Sequence, residues 1–208
     1  MIALDIFADP VCPWCLIGKV ELDRALESRP SHPFRIAWHP FRLNGGIPPE
    51  GLDRIAFLRM KLGDRAEAAS RAVAERAAAL GLVLNPSPRE PDTTDAHRLM
   101  HWAGLEGAQT RVMSGLLRAH WQEARDIGDR DVLVGIARGA GMDADLTRRL
   151  LASDADRAEI RARETHARQR GIASVPTFVV ADRHVVAGAQ PAALWQKVID
   201  EMAGPDPA

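Results

Sequence analysis

The sequence predicts an α/β fold, a small central mixed sheet with helices, interrupted by a large all-helical insertion. Three observations predict it. Strand patterns occur only near the two ends of the chain, more than a hundred residues of helical pattern separate them, and a cysteine pair lies at the first strand-to-helix junction. The 208 residues suit one domain, or one domain carrying an insertion, and suffice to bury a core without disulfide staples.

The elements follow in order. Residues 2–8 are apolar on both faces apart from Asp5, the pattern of a short, largely buried strand, which Asp9-Pro10 breaks. From Cys12 to Leu26, Leu16, Ile17, Val20, Leu22 and Leu26 recur at helical spacing, and Arg29-Pro30-Ser31 ends that helix. Phe34 to Trp38 alternates as a second strand, and His39 is assigned to the loop after it. The loop Asn44 to Pro49 opens the middle region. Helices are predicted over 52–62, over the alanine-rich 65–80 with Gly81 as a stop, and from a cap at Thr94 or Asp95 to Trp102. Four more fit 107–125, 131–140, 144–151 and 155–170, with Asp129 and Asp154 as N-caps and Gly141 and Gly171 as stops. Strand signals return over 176–180 and 184–187 with three residues between, a hairpin, and Gln190-Pro191 opens a last helix to Met202. The tail 204–208 is expected to fray.

A strand–helix–strand unit and a strand–strand–helix unit sharing one sheet is the plan of a thioredoxin fold. On this reading residues 1–48 and 172–208 form one discontinuous domain, and 49–171 form the inserted helical domain.

Composition narrows the function classes. A hydrophobic share of 46% with 26% charged residues is that of a soluble globular protein. The net charge of -1 offers no argument for nucleic acid or an anionic membrane as partner. The segment Met1 to Phe7 has Asp5 where a signal peptide needs its apolar run, and no stretch approaches the roughly 20 apolar residues of a membrane span. A cytoplasmic location is therefore expected, where a lone cysteine pair is more often catalytic or metal-binding than structural.

Cys12-Pro13-Trp14-Cys15 carries the chemistry. A thiolate, not a thiol, attacks a disulfide, and a helix N-terminus stabilises a thiolate through free N–H groups and partial positive charge. The second thiol, almost one turn later, can resolve the mixed disulfide. Cys12, nearer the loop and water, is the expected nucleophile, and Cys15 the resolving thiol. Pro13 suits the first turn of a helix, where its missing N–H has no partner. Trp14 offers an apolar contact to substrate, or else packs against the helical block. Two other readings of the pair are half a zinc site and two inert buried thiols. The chain has no third cysteine, so a zinc site would draw on His97 and His101, four apart on one helix.

In sequence order, the runs Asp9-Pro10-Val11-Cys12-Pro13-Trp14-Cys15, His39-Pro40-Phe41-Arg42-Leu43-Asn44, Pro48-Pro49-Glu50-Gly51, Asp95-Ala96-His97-Arg98-Leu99-Met100-His101-Trp102, Arg125-Asp126-Ile127, Gly171-Ile172-Ala173-Ser174-Val175-Pro176-Thr177-Phe178 and Gly188-Ala189-Gln190-Pro191 cover most of the length. Together they resemble the DsbA-like thioredoxin-fold superfamily and, within it, the cytoplasmic FrnE-like oxidoreductases. The resemblance implies a cis Val175–Pro176 bond facing Cys12, with the Val175 backbone free to pair with an extended substrate segment. It also implies protein disulfides or small thiols as substrates, no cofactor beyond the Cys12–Cys15 pair, glutathione as a candidate reductant, and no metal. Periplasmic oxidases of the superfamily carry histidine at the position of Trp14. Indole cannot carry the imidazolium charge, so a less strongly oxidising pair is expected here.

His97 and His101 are candidates to wall the site and tune the thiols, or are ordinary polar helix positions. Asp9 is a proton acceptor or only a turn former beside Pro10, the second being favoured. Two other functions share the plan. One is a glutathione-dependent transferase or isomerase of the kappa or chromene-carboxylate type, which generally lacks two cysteines in this arrangement. The other is a metal-linked binding or chaperone module. The physiological substrate, the direction of electron flow, the recycling partner and the choice between monomer and homodimer are not written in the sequence.

Overall fold

The computed structural model describes residues 1–204. Strand β1 (Ile2–Ala8) runs parallel to β2 (Phe34–Pro40) and antiparallel to β5 (Thr177–Val180), which pairs antiparallel with β6 (His184–Ala187). The sheet order is β2-β1-β5-β6, so the two ends of the chain meet on β1. Ile6 stands between Trp38 of β2 and Phe178 of β5, and Ile6, Phe7 and Ala8, which point to alternate faces, are all buried, which is why this strand lacks the alternation of a half-exposed one. Helix α1 (Pro13–Glu27) packs along α9 (Ala192–Ala203). Glu21, buried on α1, pairs with Arg76 and accepts the N–H of Ala192 at 2.9 Å, tying α1 to both neighbours. Trp195, with no exposed surface, meets Phe178 edge to face at 4.6 Å. The mixed α/β thioredoxin architecture predicted from element order is the one observed.

Between β2 and β5 lie α2 (Arg54–Leu62), α3 (Ala66–Ala79), α4 (Thr94–Leu105), α5 (Gln109–Trp121), α6 (Arg130–Gly139), α7 (Ala144–Ala152) and α8 (Arg157–Gln169). Helices α4, α5 and α8 pack on β2, and one contiguous core runs from Leu4 and Ile6 of the sheet to Leu99, Met113 and Leu116 of the helices.

Several local expectations are corrected. The helix expected from residue 52 starts at Arg54. Leu52–Asp53 (β3) pairs instead with Arg89–Glu90 (β4), a two-stranded ladder where no strand was anticipated. Asp53 is then the helix cap, its side chain accepting from Ala56 N–H. At Gly51, φ is +70° and a Cβ would stand 3.0 Å from Glu90 O, so the ladder needs glycine there. Helix α4 is not capped by the Thr94 or Asp95 side chain. Asp92 accepts the Thr94 N–H at 3.0 Å, and Asp95 is taken up by Arg98, Arg130 and Arg157. Helix α5 stops at Trp121, short of 125, and Ala124 adopts φ 53° in the turn that follows. Asp154 does not cap α8. The residue before the helix is Asp156, left-handed at φ 60°, whose carboxylate accepts the Trp102 indole N–H at 2.7 Å. Asp129 caps α6 as expected, accepting from Asp131 and Val132. His39 is a β2 residue, not a loop residue, hydrogen-bonded to Asp5 at 2.7 Å. Of the tail expected to fray, residues 205–208 lie outside the described residues.

Candidate active site

The cysteine turn joins β1 to α1. Asp9 is fully buried, and its backbone carbonyl accepts the Cys12 N–H at 2.9 Å. Cys12 is the residue before the helix, with extended φ -83° and ψ 117°, and Pro13 occupies the first helical position. Pro13 has no N–H, so the first helix amide free to turn toward Cys12 belongs to Trp14. Cys15 already lies in the helix, its N–H bonded to Cys12 O at 3.0 Å.

Val175–Pro176 is a cis bond. The Cys12 thiol lies 3.5 Å from the Val175 carbonyl oxygen, across 163 residues of chain. Gly18, one turn below the cysteines, makes room for the same segment, because a Cβ there would sit 3.1 Å from Pro176 Cγ. Cys12 is 3% exposed and Cys15 2%, so the expectation that Cys12 stands out toward water is corrected: Val175 covers it. Burial pushes the Cys15 thiol well above its ordinary range, and the neighbouring Cys12 adds to this, as does the charge of Asp9. A backbone hydrogen bond with Asp9 opposes it.

Trp14 is 39% exposed and lines a cavity of about 630 Å³. Val11, Pro13, Leu43, Phe57 and Leu58 give this cavity apolar walls, and Asn44, Arg54, Lys61 and Glu90 give it a polar end. Glu90 accepts from Asn44 at 2.8 Å and pairs with Arg54 at 3.3 Å. Burial pushes Glu90 up to about 7 against the pull of Arg54, and burial lowers the Arg54 guanidinium. Arg54 also lies over the Trp121 ring at 4.5 Å. The Trp121 indole N–H donates to the Pro10 carbonyl at 3.0 Å, fastening α5 to the turn ahead of Cys12. His120 beside it has no exposed surface, and burial reinforced by Arg54 lowers it to about 3.

Of the residues singled out from sequence, Cys12, Pro13, Trp14, Cys15, Val175 and Pro176 come together. His97 does not line the cavity. It is buried, with its Nε2 3.5 Å from the Asp9 carboxylate. His101, one turn on, is half-buried and lies outside the cavity lining as well, so neither histidine walls that cleft. Among the described residues no group of three or more His, Cys, Asp or Glu side chains is placed to hold a metal ion, so the Cys12, Cys15, His97, His101 zinc arrangement is not assembled. Arg54, Glu90, His120 and Trp121 were not singled out. Arg54, Glu90 and the His120-Trp121 pair lie in separate segments with no motif around them, and only tertiary packing gathers them.

A family model described as DSBA-like thioredoxin domain matches residues 3–200. The chain belongs to this family. It is similar in structure to a probable DsbA oxidoreductase, SCO1869, from Streptomyces coelicolor, with TM-score 0.86 and 30% identity over 100% of this chain and 93% of that one. It shares its fold with a 2-hydroxychromene-2-carboxylate isomerase, with TM-score 0.72 and 14% identity over 97% of this chain and 96% of the other. It shares it also with the cytosolic disulfide reductase DsbM from Pseudomonas aeruginosa, whose structure contains glutathione, with TM-score 0.69 and 20% identity over 97% of this chain and 98% of that one. Members of this fold thus include disulfide oxidoreductases and an isomerase. Among the described residues no helix is long and apolar enough to cross a membrane.

Proposed function

We propose that this protein is a cytoplasmic thiol–disulfide oxidoreductase that exchanges disulfides of protein or small-thiol substrates, with Cys12 as nucleophile and Cys15 as resolving thiol. The observation that carries the reading is the asymmetry of the pair. Cys12 sits at the start of α1 against the Val175 carbonyl, and Cys15 lies inside the helix with its proton held tightly.

The steps follow from that asymmetry. The Cys12 thiolate attacks one sulfur of a substrate disulfide, and the other sulfur leaves as a thiolate. Cys15 remains protonated while the mixed disulfide forms, so it does not compete for the substrate. It then loses its proton and attacks Cys12 Sγ. The Cys12–Cys15 bond forms, the bond to substrate breaks, and the second substrate thiolate leaves with a proton. Two electrons pass to the substrate, and an external thiol, with glutathione as the candidate, returns them to the pair. Trp14 and the apolar walls beside it give the segments flanking the substrate disulfide a surface to lie on. The Val175 backbone offers strand-like hydrogen bonds to such a segment.

The test is insulin disulfide reduction with glutathione as donor. Wild type should accelerate precipitation of the insulin B chain, and Cys12→Ser should abolish the acceleration. A variant lacking Cys15 that keeps full turnover, together with tight glutathione binding, would instead favour a glutathione-dependent transferase or isomerase.

A further inference from the structure

The polar end of the cavity beside Trp14 carries two cations, Arg54 and Lys61 of α2, against a single carboxylate, Glu90 of β4. The exchange scheme uses none of them. Arg54 lies over the Trp121 ring at 4.5 Å, and among the described residues its side chain makes one hydrogen bond, from Nη1 to Glu90 at 3.3 Å. Its Nε and Nη2 donors are unspent, and that edge of a guanidinium is one that grips a carboxylate with two parallel bonds. Lys61 donates to Asn44, which in turn donates to Glu90 at 2.8 Å, so the charged end is one linked set. The rest of the lining is largely apolar and includes Trp14, Leu43, Phe57, Leu58 and Val73. A cavity of about 630 Å³ with such a lining suits a small molecule that is apolar over most of its surface and fixed by a few polar groups.

We propose that this cavity binds a small apolar monoanion, with its charged head on Arg54 and Lys61 and its body along Trp14, Phe57 and Leu58, and that Glu90 takes up a proton when it binds. The site stands apart from the exchange scheme, since neither thiol lines the cavity. Charge decides the class of ligand. A cationic head would meet Arg54 and Lys61, an uncharged one would leave the free edge of Arg54 unpaired, and a second acid on the ligand would find no further cation in the lining. With Glu90 ionised, one of the two cations is cancelled and the head meets a like charge beside Arg54. With Glu90 protonated, both cations face the head. Burial already pushes Glu90 up to about 7, so this proton is available near neutral pH. The charged groups facing Glu90 are Arg54 and Lys61 of α2 and Asp9 of the turn after β1. His120 of α5 faces Arg54 and, lowered to about 3, stays neutral while Glu90 titrates. The protonated form favours the anion, so affinity rises as pH falls through about 7.

The experiment titrates two fluorescent probes that share one body, 8-anilinonaphthalene-1-sulfonate and its uncharged parent N-phenyl-1-naphthylamine, into the full chain. The sulfonate stays ionised throughout. It should bind once per chain, about tenfold more tightly at about pH 5.5 than at about pH 8.5, and the uncharged probe should show no such change. Glu90→Gln should hold the sulfonate near its low-pH affinity across that range. Lys61→Gln, at an exposed position, should weaken the sulfonate about tenfold at low pH and leave the uncharged probe as it was. A wild-type sulfonate affinity that is level with pH, a Glu90→Gln variant with the wild-type slope, or a Lys61→Gln variant that binds both probes as wild type does would each overturn the proposal. Binding of several sulfonates per chain overturns it as well. If Glu90→Gln does not fold, the two probes on wild type and Lys61→Gln decide the matter. Neither probe is a disulfide or a thiol, so a chain that fails to reduce insulin still passes or fails this test on its own.

Discussion

Trp121→Phe isolates the contact that fastens the helical block to the cysteine turn. The indole N–H donates to Pro10 O at 3.0 Å, the indole is 1% exposed, and Pro10 is buried. Phenylalanine keeps an aromatic ring but removes the donor. A buried carbonyl left without its partner costs about 1–3 kcal/mol, and the smaller ring leaves a void worth about 1 kcal/mol more. The Arg54 guanidinium, 4.5 Å above the ring, retains a weaker aromatic partner. The sum is a loss of about 2–4 kcal/mol, which in a chain of this size lowers Tm by roughly 5–15 °C. Urea unfolding monitored by circular dichroism measures the loss. The same turn holds the Cys12 backbone, whose N–H bonds to Asp9 O at 2.9 Å, so iodoacetamide should modify the buried Cys12 faster in Trp121→Phe, measured in a Cys15→Ser background. A stability change below about 0.5 kcal/mol, with alkylation unchanged, would show that this bond does not hold the turn and refute the reasoning.

Two further predictions concern charge. Glu90 is pushed up to about 7 and His120 down to about 3 from their ordinary 4.5 and 6.5. Between about pH 4.5 and 6.5 the folded chain holds a proton on Glu90 that the unfolded chain has released, and lacks one on His120 that the unfolded chain has gained, so the two cancel. Above about 6.5 only Glu90 counts, and stability falls slightly as pH rises through about 7. Below about 4.5 only His120 counts, and stability falls with pH by about 1.4 kcal/mol per unit toward pH 3. His120→Gln should flatten that acid limb relative to wild type in urea titrations across pH 3–8, and parallel limbs would contradict a buried neutral His120. Trp14→His places an imidazolium beside Cys12 and should make the pair more oxidising in equilibrium with glutathione buffers. An unchanged potential would show that this position does not tune it.

The elements legible in the sequence are those that carry a local mark in pattern or chemistry. Ile2–Ala8 lacks alternation because both faces are covered, and Phe34 onward alternates because one is not. The cysteine spacing and the Val175-Pro176 step were readable for the same reason, since local chemistry marks them. What was missed has no local mark. Leu52–Asp53 and Arg89–Glu90 are each two residues long, too short for any period, and pair across a gap that only the folded chain closes. The alternation that predicts β2 ends at Trp38, which assigns His39 to the loop after it, yet the strand continues through Pro40 on the edge strand of the sheet, where proline is tolerated. Cys12 was expected near water because a loop precedes it, and its burial comes from Val175, 163 residues away. The Asp9, His97, Glu90, Arg54 and His120 cluster draws one residue from each of five segments, so no window of sequence contains it.

The central claim is that the two cysteines have different roles. Its most direct test is mass spectrometry of Cys12→Ser and Cys15→Ser proteins, each incubated with oxidised glutathione. Cys15→Ser should carry one glutathione on Cys12, and Cys12→Ser should carry none. Equal labelling of Cys15, or no adduct on either variant, would contradict the account.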